Sequence, residues 1–439
     1  MKHNFFGGVH PRDKKSLSRD VAIAPLSEPP VQVIIPMAMH VGEPCTPLVS
    51  PGDTVCVGQK IGSTEHLGVS VHASVSGTVT AVELRPHPDG EPVVSVVIGN
   101  DFLDTPVAEP ESRNVQQLSQ QELLDIVREA GIVELDGAGI PIHVKLTGAA
   151  GKVDTVIVSG AECDPYLTAN YRLMTEQGSK ILGGAQLICR MLDVPKATIG
   201  VEAGHMDVVQ SLRRLAQESG GAEVRPLRVR YPQGGEKQLV QTLTGRQVPP
   251  YKLPEDVGCA VFSVGTAAAV YDAVYEGKPL THRVVTVTGE AIQKPANFWV
   301  PIGTPMEHLL REAGGCSGEP ECVLTGGAMT GLPQQDLSAP VTKQVNSLVV
   351  LPADVCARTV QEPVCIRCGR CVEVCPMHLL PLYIHLYASH GRFRETERFH
   401  VADCMECGSC TYNCPGGVPL VQSVRATKHR LRFAARQER

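Results

Sequence analysis

Eight cysteines near the C-terminus fall into two runs whose spacing has a chemical meaning. Cys365, Cys368, Cys371 and Cys375-Pro376 make the first run, and Cys404, Cys407, Cys410 and Cys414-Pro415 the second. Each reads C-x2-C-x2-C-x3-C-P. That spacing wraps three thiolates around one cubane of iron and sulfide, while the fourth cysteine reaches the other cluster. The rule assigns Cys365, Cys368, Cys371 and Cys414 to one [4Fe–4S] cluster, and Cys404, Cys407, Cys410 and Cys375 to a second. A pair of zinc sites is the nearest alternative, but zinc takes four ligands per site and does not ask for this rhythm. Disulfides fit less well still. The pattern implies one-electron transfer.

Further upstream, three segments set charge beside glycine. Asp136-Gly137-Ala138-Gly139-Ile140-Pro141-Ile142-His143-Val144-Lys145 has the makings of a phosphate cradle: glycine lets backbone N–H groups come close, and a lysine supplies charge. Alone, such a loop is at least as often a plain turn. Ser159-Gly160-Ala161-Glu162-Cys163-Asp164-Pro165 follows an apolar run, the position where α/β folds carry ligand loops. Glu162 and Asp164 could equally be ion-paired surface groups. Tyr231-Pro-Gln-Gly234-Gly235-Glu236-Lys237 is the third segment. Three such loops ahead of two cluster runs favour a redox cofactor site. Cys45, Cys56, Cys189, Cys259, Cys316, Cys322 and Cys356 show no paired ligand spacing and read as ordinary thiols. His143 has a structural reading as good as a functional one.

The elements that must hold these residues follow from periodicity. At 439 residues the chain should contain several domains. Over residues 1–110, Val49–Ile61 and Val71–Val79 are short alternating runs broken by glycines, in the style of a lipoyl-like barrel sandwich. A carrier domain needs a lysine at its hairpin tip, and none occurs between Lys60 and Lys145. Residues 115–278 alternate helix and strand. Ser119-Gln-Gln-Glu122 is a capping box ahead of Leu123, Leu124, Ile126 and Val127 on one helical face, and Val153–Val158 is a buried strand. A small β-rich unit spans 279–352, the cluster runs occupy 353–425, and a basic tail closes 426–439. Arg425, Lys428, Arg430 and Arg432 on that last stretch read as a solvated face. The mild net charge of −6 argues against nucleic acid, and no run reaches the roughly 18 apolar residues of a membrane span. Abundant cysteine beside oxygen-sensitive ligands suits a reducing compartment, and no secretion signal is evident.

Taken together these phrases resemble the C subunit of the Rnf ferredoxin:NAD oxidoreductase complex, nearly end to end. Phe6-Gly7-Gly8-Val9-His10-Pro11, His72-Ala-Ser-Val-Ser-Gly77, Arg85-Pro-His-Pro, Gly160-Ala-Glu-Cys163, Tyr231-Pro-Gln-Gly-Gly-Glu-Lys-Gln-Leu239, Arg283-Val-Val-Thr-Val-Thr-Gly289 and the doubled cysteine run carry the resemblance. It implies a multidomain α/β plus β chain: a barrel sandwich, an FMN domain similar to the flavoprotein subunit of respiratory complex I, a β-grasp (SLBB-type) unit and a two-cluster ferredoxin-like domain. It also implies FMN held by Gly137, Gly139, Lys145, Glu162, Asp164, Tyr231, Gly234, Glu236 and Thr266, with NAD(H) as substrate and no side-chain acid or base. Membrane subunits and a further iron–sulfur subunit or ferredoxin would be its partners, placing it peripherally on the cytoplasmic side of the membrane. Asp136, Ile140 and Ile142 stand where the family has Gly, Phe and Thr. Ser159 and Ser263 replace asparagines, Asp164 a glutamate, and Ala203-Gly204-His205 the usual D-N-K. A soluble relative serving another reductase, or a flavin-free relay, are the alternatives.

Overall fold

The computed structural model describes residues 4–108, 114–137, 139–318, 322–356 and 363–437. Its centre is a four-stranded, all-parallel sheet in the order Ala222–Leu227, Ala197–Glu202, Thr155–Gly160, Cys259–Ser263. The two middle strands are buried almost throughout, as parallel strands between helical layers must be. Alternation along Thr155–Gly160 sends Val156 and Val158 into one core, with helices Gly178–Leu192 and Val264–Tyr275. Ile157 goes into the other, beneath helix Glu236–Thr244. Burying one such side chain stabilises by about 1.5–3 kcal/mol. The two helices of the first layer approach so closely that a side chain at Gly184 would collide with the Ala267 carbonyl.

The capping box forms. Ser119 Oγ accepts from Glu122 N at 3.3 Å, and the Glu122 carboxylate accepts from Ser119 N at 2.7 Å, starting helix Gln120–Glu129. Leu123 and Val127 face the core fully, with Leu124 and Ile126 packed at its edge.

Ahead of this unit, antiparallel strands Gln32–Pro36, Val93–Asn100, Gly77–Arg85 and Thr54–Val55 form one sheet and Thr46–Pro47, Lys60–Ser63 and Val71–His72 another. They close on a core including Val33, Ile35, Ile61, Val71 and Ile98. Residues before Pro30 leave this sandwich. Ile23–Pro25 is instead the edge strand of a six-stranded mixed sheet ordered Ile23–Pro25, Ala296–Pro301, His282–Thr288, Ser347–Leu351, Cys322–Thr325, Leu332–Pro333. Helix Met306–Glu312 packs on that sheet in β-grasp fashion.

The cysteine-rich unit is small and helical. Short helices Arg370–Glu373 and Ser409–Tyr412 lie within the two runs, and Pro381–Ser389 packs on the long closing helix Leu420–Gln437. That closing helix is not simply solvated: Arg425 and Lys428 turn inward to Glu406 at 3.3 and 2.9 Å. A carboxylate one residue from Cys407 offers them a partner that water-facing residues lack. Among the described residues no helix is long and apolar enough to cross a membrane.

Candidate functional site

Two small cavities in the C-terminal unit sort the eight cysteines. One is lined by Cys375, Cys404, Cys407 and Cys410, the other by Cys365, Cys368, Cys371 and Cys414. Each run therefore lends three thiols to one cavity and its last thiol to the other. Among the described residues no three His, Cys, Asp or Glu side chains close on a point that a single metal ion would fill. The cysteines surround volumes instead, which suits a cubane better than zinc.

The two runs also share a backbone. Arg367 and Glu406, two residues past the first cysteine of each run, both sit at positive φ (56° and 58°), as do Gly369 and Gly408 (79° and 74°) and His378 and Gly417 (55° and 62°). This conformation turns amides onto sulfur. Arg367 N donates to Cys365 Sγ and Glu406 N to Cys404 Sγ, each at 3.4 Å; Leu379 N and Val418 N donate to Cys375 and Cys414 at 3.3 and 3.4 Å. N–H groups aimed at thiolate sulfur are one lever on a cluster's potential. Burial pushes the Cys404 and Cys410 thiols up to about 12. They would hold a cluster as thiolates, so cluster binding there would release protons.

Surroundings break the symmetry. Cys407 packs with Tyr231, Val9, Cys163, Met329, Val374 and Met405, against the parallel-sheet unit. Cys365 and Cys368 are exposed, flanked by Val364 and Ile366 at 62% and 64% exposure.

The second centre lies at the C-terminal ends of the parallel strands. Ser263 ends the outer strand and caps helix Val264–Tyr275, its Oγ accepting from Thr266 N at 3.1 Å. Glu134 accepts from Ser263 N at 3.1 Å and from Thr266 Oγ1 at 2.7 Å. Lys145, on helix Ile142–Ala149, lies 2.5 Å from Glu236 and 3.8 Å from Glu134, and 5.3 Å from the Phe262 ring centre. Burial alone would lower its pKa, but Glu236 and Glu134 raise it. Glu134 belongs to no motif, and only its place three residues ahead of Gly137 could have drawn notice.

Gly137 (φ 99°) faces open space, whereas a Cβ on Gly139 (φ 61°) would run into Gln344; Ala138 lies outside the described residues. Asp136 opens onto a cavity of about 660 Å³ between the parallel-sheet, sandwich and β-grasp units, with Asn170, Gly265, Arg283 and Trp299 on its walls. Asp136 keeps an exposed surface toward that cavity. Desolvation by the protein crowded behind it, with Glu134 close by, raises its pKa to about 7, and Asn170 Nδ2 donates to it at 3.3 Å.

Other residues expected at the cofactor have structural work. Glu162 caps helix Ala169–Glu176, accepting from Asn170 N and Tyr171 N at 2.9 and 3.2 Å. Asp164 accepts from Met329 N at 3.1 Å and Thr330 Oγ1 at 3.4 Å, and burial raises it to about 6. Tyr231 faces the cluster unit, its Oη donating to the Cys407 carbonyl at 2.7 Å, whereas Gly234 faces the Ala161–Cys163 loop, its N donating to Cys163 Sγ at 3.4 Å. A Cβ on Gly234 would lie 3.0 Å from the Ala161 carbonyl, and one on Gly235 would press on Met405. The two glycines let this turn fit between the Ala161–Cys163 loop and the cluster loop.

The chemistry left open at this centre suits a phosphorylated flavin. Glu134 Oε2, Glu202 Oε1 and Gln233 Oε1 are buried acceptors without hydrogen-bond partners, as ribityl hydroxyls would require, and Lys145 is a cation that a phosphate would have to draw from Glu236 and Glu134.

Comparison with known proteins agrees unit by unit. Residues 3–103 match the RnfC barrel sandwich hybrid domain, 127–272 the Nuo51 FMN-binding domain, 284–333 the SLBB domain and 364–418 the 4Fe-4S dicluster domain. Over 98% of its length the chain is 42% identical to the C subunit of the Na+-translocating ferredoxin:NAD+ oxidoreductase complex of Acetobacterium woodii, covering 98% of that protein. The chain belongs to the Rnf C-subunit family. A second C subunit, from the proton-translocating complex of Clostridium ljungdahlii, is 40% identical over 100% of this chain and 96% of its own. The C subunit of the ion-translocating oxidoreductase complex of Cronobacter sakazakii is 37% identical over 99% of this chain, which spans 56% of that longer relative. Among solved structures, the NAD+-reducing [NiFe]-hydrogenase in its H2-reduced state superposes with a TM-score of 0.52 at 17% identity, over 71% of this chain and 61% of the hydrogenase chain. That likeness shows the fold.

Proposed function

We propose that this protein passes electrons between NAD(H), FMN and two [4Fe–4S] clusters, as a peripheral component on the cytoplasmic side of an ion-translocating ferredoxin:NAD oxidoreductase. The observation that carries the reading is the Tyr231–Gly235 turn. On one side it touches the Ala161–Cys163 loop at the flavin-type site, and on the other it touches Cys407. Bound FMN would exchange hydride with NAD(H) in two-electron steps and single electrons with the clusters.

The residues supply positions and electrostatics. Lys145 and the Gly137–Gly139 backbone would meet the flavin phosphate, and Glu134 and Glu202 its hydroxyls. Tyr231 and Cys163 exclude water from the gap toward the cluster of Cys375, Cys404, Cys407 and Cys410. The set of Cys365, Cys368, Cys371 and Cys414, whose first two thiols are exposed, would be the exit to an iron–sulfur partner. We divide the chain into the sandwich, the FMN unit, the β-grasp unit and the cluster unit, with residues 4–25 as a strap joining the last three.

An anaerobic absorbance spectrum, with iron and acid-released flavin quantified, tests this. Two clusters' worth of iron, one FMN and bleaching by NADH are expected. No flavin after reconstitution would leave an iron–sulfur relay, the reading favoured by Lys145 already pairing with Glu236 and Glu134.

A further inference from the structure

The N-terminal strap delivers a lysine that no motif announces. Lys15 starts a single 3-10 turn, Lys15–Leu17, and its side chain is buried. Its Nζ donates to the carbonyls of Glu162 at 2.6 Å, Asp164 at 3.1 Å and Leu167 at 2.5 Å. Those three acceptors use all three ammonium donors. All belong to one loop, which leaves strand Thr155–Gly160 and enters helix Ala169–Glu176. Neighbouring strap contacts fix the lysine in place: Asp13 O accepts from Tyr166 N at 2.7 Å, Ser18 Oγ lies 2.8 Å from Thr168 Oγ1, and Lys14 pairs with Glu290 at 3.0 Å.

The charge has neighbours to act on. Burial raises Glu162, Asp164 and Glu202, and Lys15 opposes that rise at each of them. Lys145 is committed to Glu236 and Glu134, so Lys15 is the cation that answers these three carboxylates.

We propose that Lys15 is a positioning residue of the flavin site, tying the Glu162–Leu167 loop into one conformation and setting a fixed positive charge beneath its carboxylates. The role rests on the flavin reading above, but it can be tested apart from it. Three full-length variants separate its parts. Lys15→Met removes charge and hydrogen bonds. Lys15→Arg keeps the charge, but its planar fork cannot meet three converging carbonyls. Ser18→Ala removes one uncharged strap contact.

Amide hydrogen exchange over residues 160–168 is read in flavin-free protein, alongside FMN affinity and the flavin midpoint potential. Lys15→Met should speed loop exchange tenfold or more, weaken FMN at least tenfold and lower the potential, since a charge stabilising reduced flavin is gone. Lys15→Arg should speed loop exchange while the potential holds. Ser18→Ala should leave the potential unchanged. Wild-type loop exchange in both lysine variants would overturn the proposal. So would a potential that falls equally in Lys15→Arg and Lys15→Met, or one that falls equally in Ser18→Ala. If the wild-type chain takes up no FMN, the flavin reading fails, while the exchange comparison still decides whether Lys15 orders the loop.

Discussion

Replacing Asp136 by asparagine removes a carboxylate from the edge of the phosphate loop while keeping its size. Asp136 is raised to about 7, because the protein crowded behind it and Glu134 both disfavour its charge even though its side chain reaches the open cavity. With that value, the protonated fraction falls from about nine-tenths at pH 6 to about one-tenth at pH 8. If only the neutral acid tolerates a phosphate dianion nearby, FMN affinity should fall about tenfold across those two pH units, or about 1.4 kcal/mol. Asp136→Asn should flatten that dependence and bind FMN about tenfold more tightly than wild type at pH 8. The flavin phosphate has its own ionisation near pH 6, but it acts equally on both proteins and drops out of the comparison. The assay is quenching of FMN fluorescence on titration with flavin-free protein at pH 6, 7 and 8. Parallel pH curves for the two proteins, or weaker binding by the variant at pH 8, would refute a phosphate placed beside Asp136.

Three further outcomes follow from the same geometry. Cys414→Ser should abolish the electron paramagnetic signal of the cluster held by Cys365, Cys368 and Cys371 and spare the cluster served by its own run; the opposite loss would disprove the crossed assignment. Tyr231→Phe removes the hydroxyl bonded to Cys407 O, a buried bond whose loss costs about 1–3 kcal/mol. Stopped-flow reduction of the clusters by NADH should slow while NADH:ferricyanide turnover holds, and equal slowing of both would count against a role between flavin and cluster. Burial drives Lys343 down from 10.5 to about 7 while its Nζ donates to Gly131 O at 2.7 Å and Ser70 O at 3.1 Å. The unfolded chain therefore binds more protons between those values, so stability should rise from pH 7 to pH 10 by up to about 4 kcal/mol from this group. Lys343→Met should lose that slope in urea denaturation, and equal slopes would show that Lys343 is charged when folded.

Much of this architecture was legible because it is local. Thiol spacing is set by the short loops that wrap a cubane, so the grouping of Cys365 through Cys414 into two sets needs no tertiary knowledge. The Ser119–Glu122 box and the buried strand Thr155–Gly160 are likewise written within a few residues. What stayed hidden depends on contacts across the chain. Lys15 meets a loop about 150 residues away, and no spacing rule links the two. Tyr231 looked like part of a cofactor turn because its glycines resemble a cradle. In the fold they also remove Cβ atoms where the turn fits between two units, a contact that no local pattern announces. Asp164 reads as a site carboxylate until residues 329 and 330 of the β-grasp unit arrive to bond it.

The doubled cysteine unit shows how direction can arise from near-identical parts. Both halves repeat the same positive-φ positions and the same N–H to sulfur bonds, so their local contributions to cluster potential are close to equal. Their settings are not. Lys428 donates to Cys404 O at 2.5 Å and pairs with Glu406, and Tyr231 seals Cys407 from water. The other set has Cys365 and Cys368 in solvent beside Arg367 and Arg370, with no comparable cover among the described residues. Burial excludes solvent from the cluster next to the FMN unit, and exposure lets the distal cluster meet a partner at short range. Electrons entering at the parallel-sheet unit would therefore reach the buried set first and leave from the exposed one. On the proposed reading, that order would come from placing one half of a symmetric unit against Tyr231.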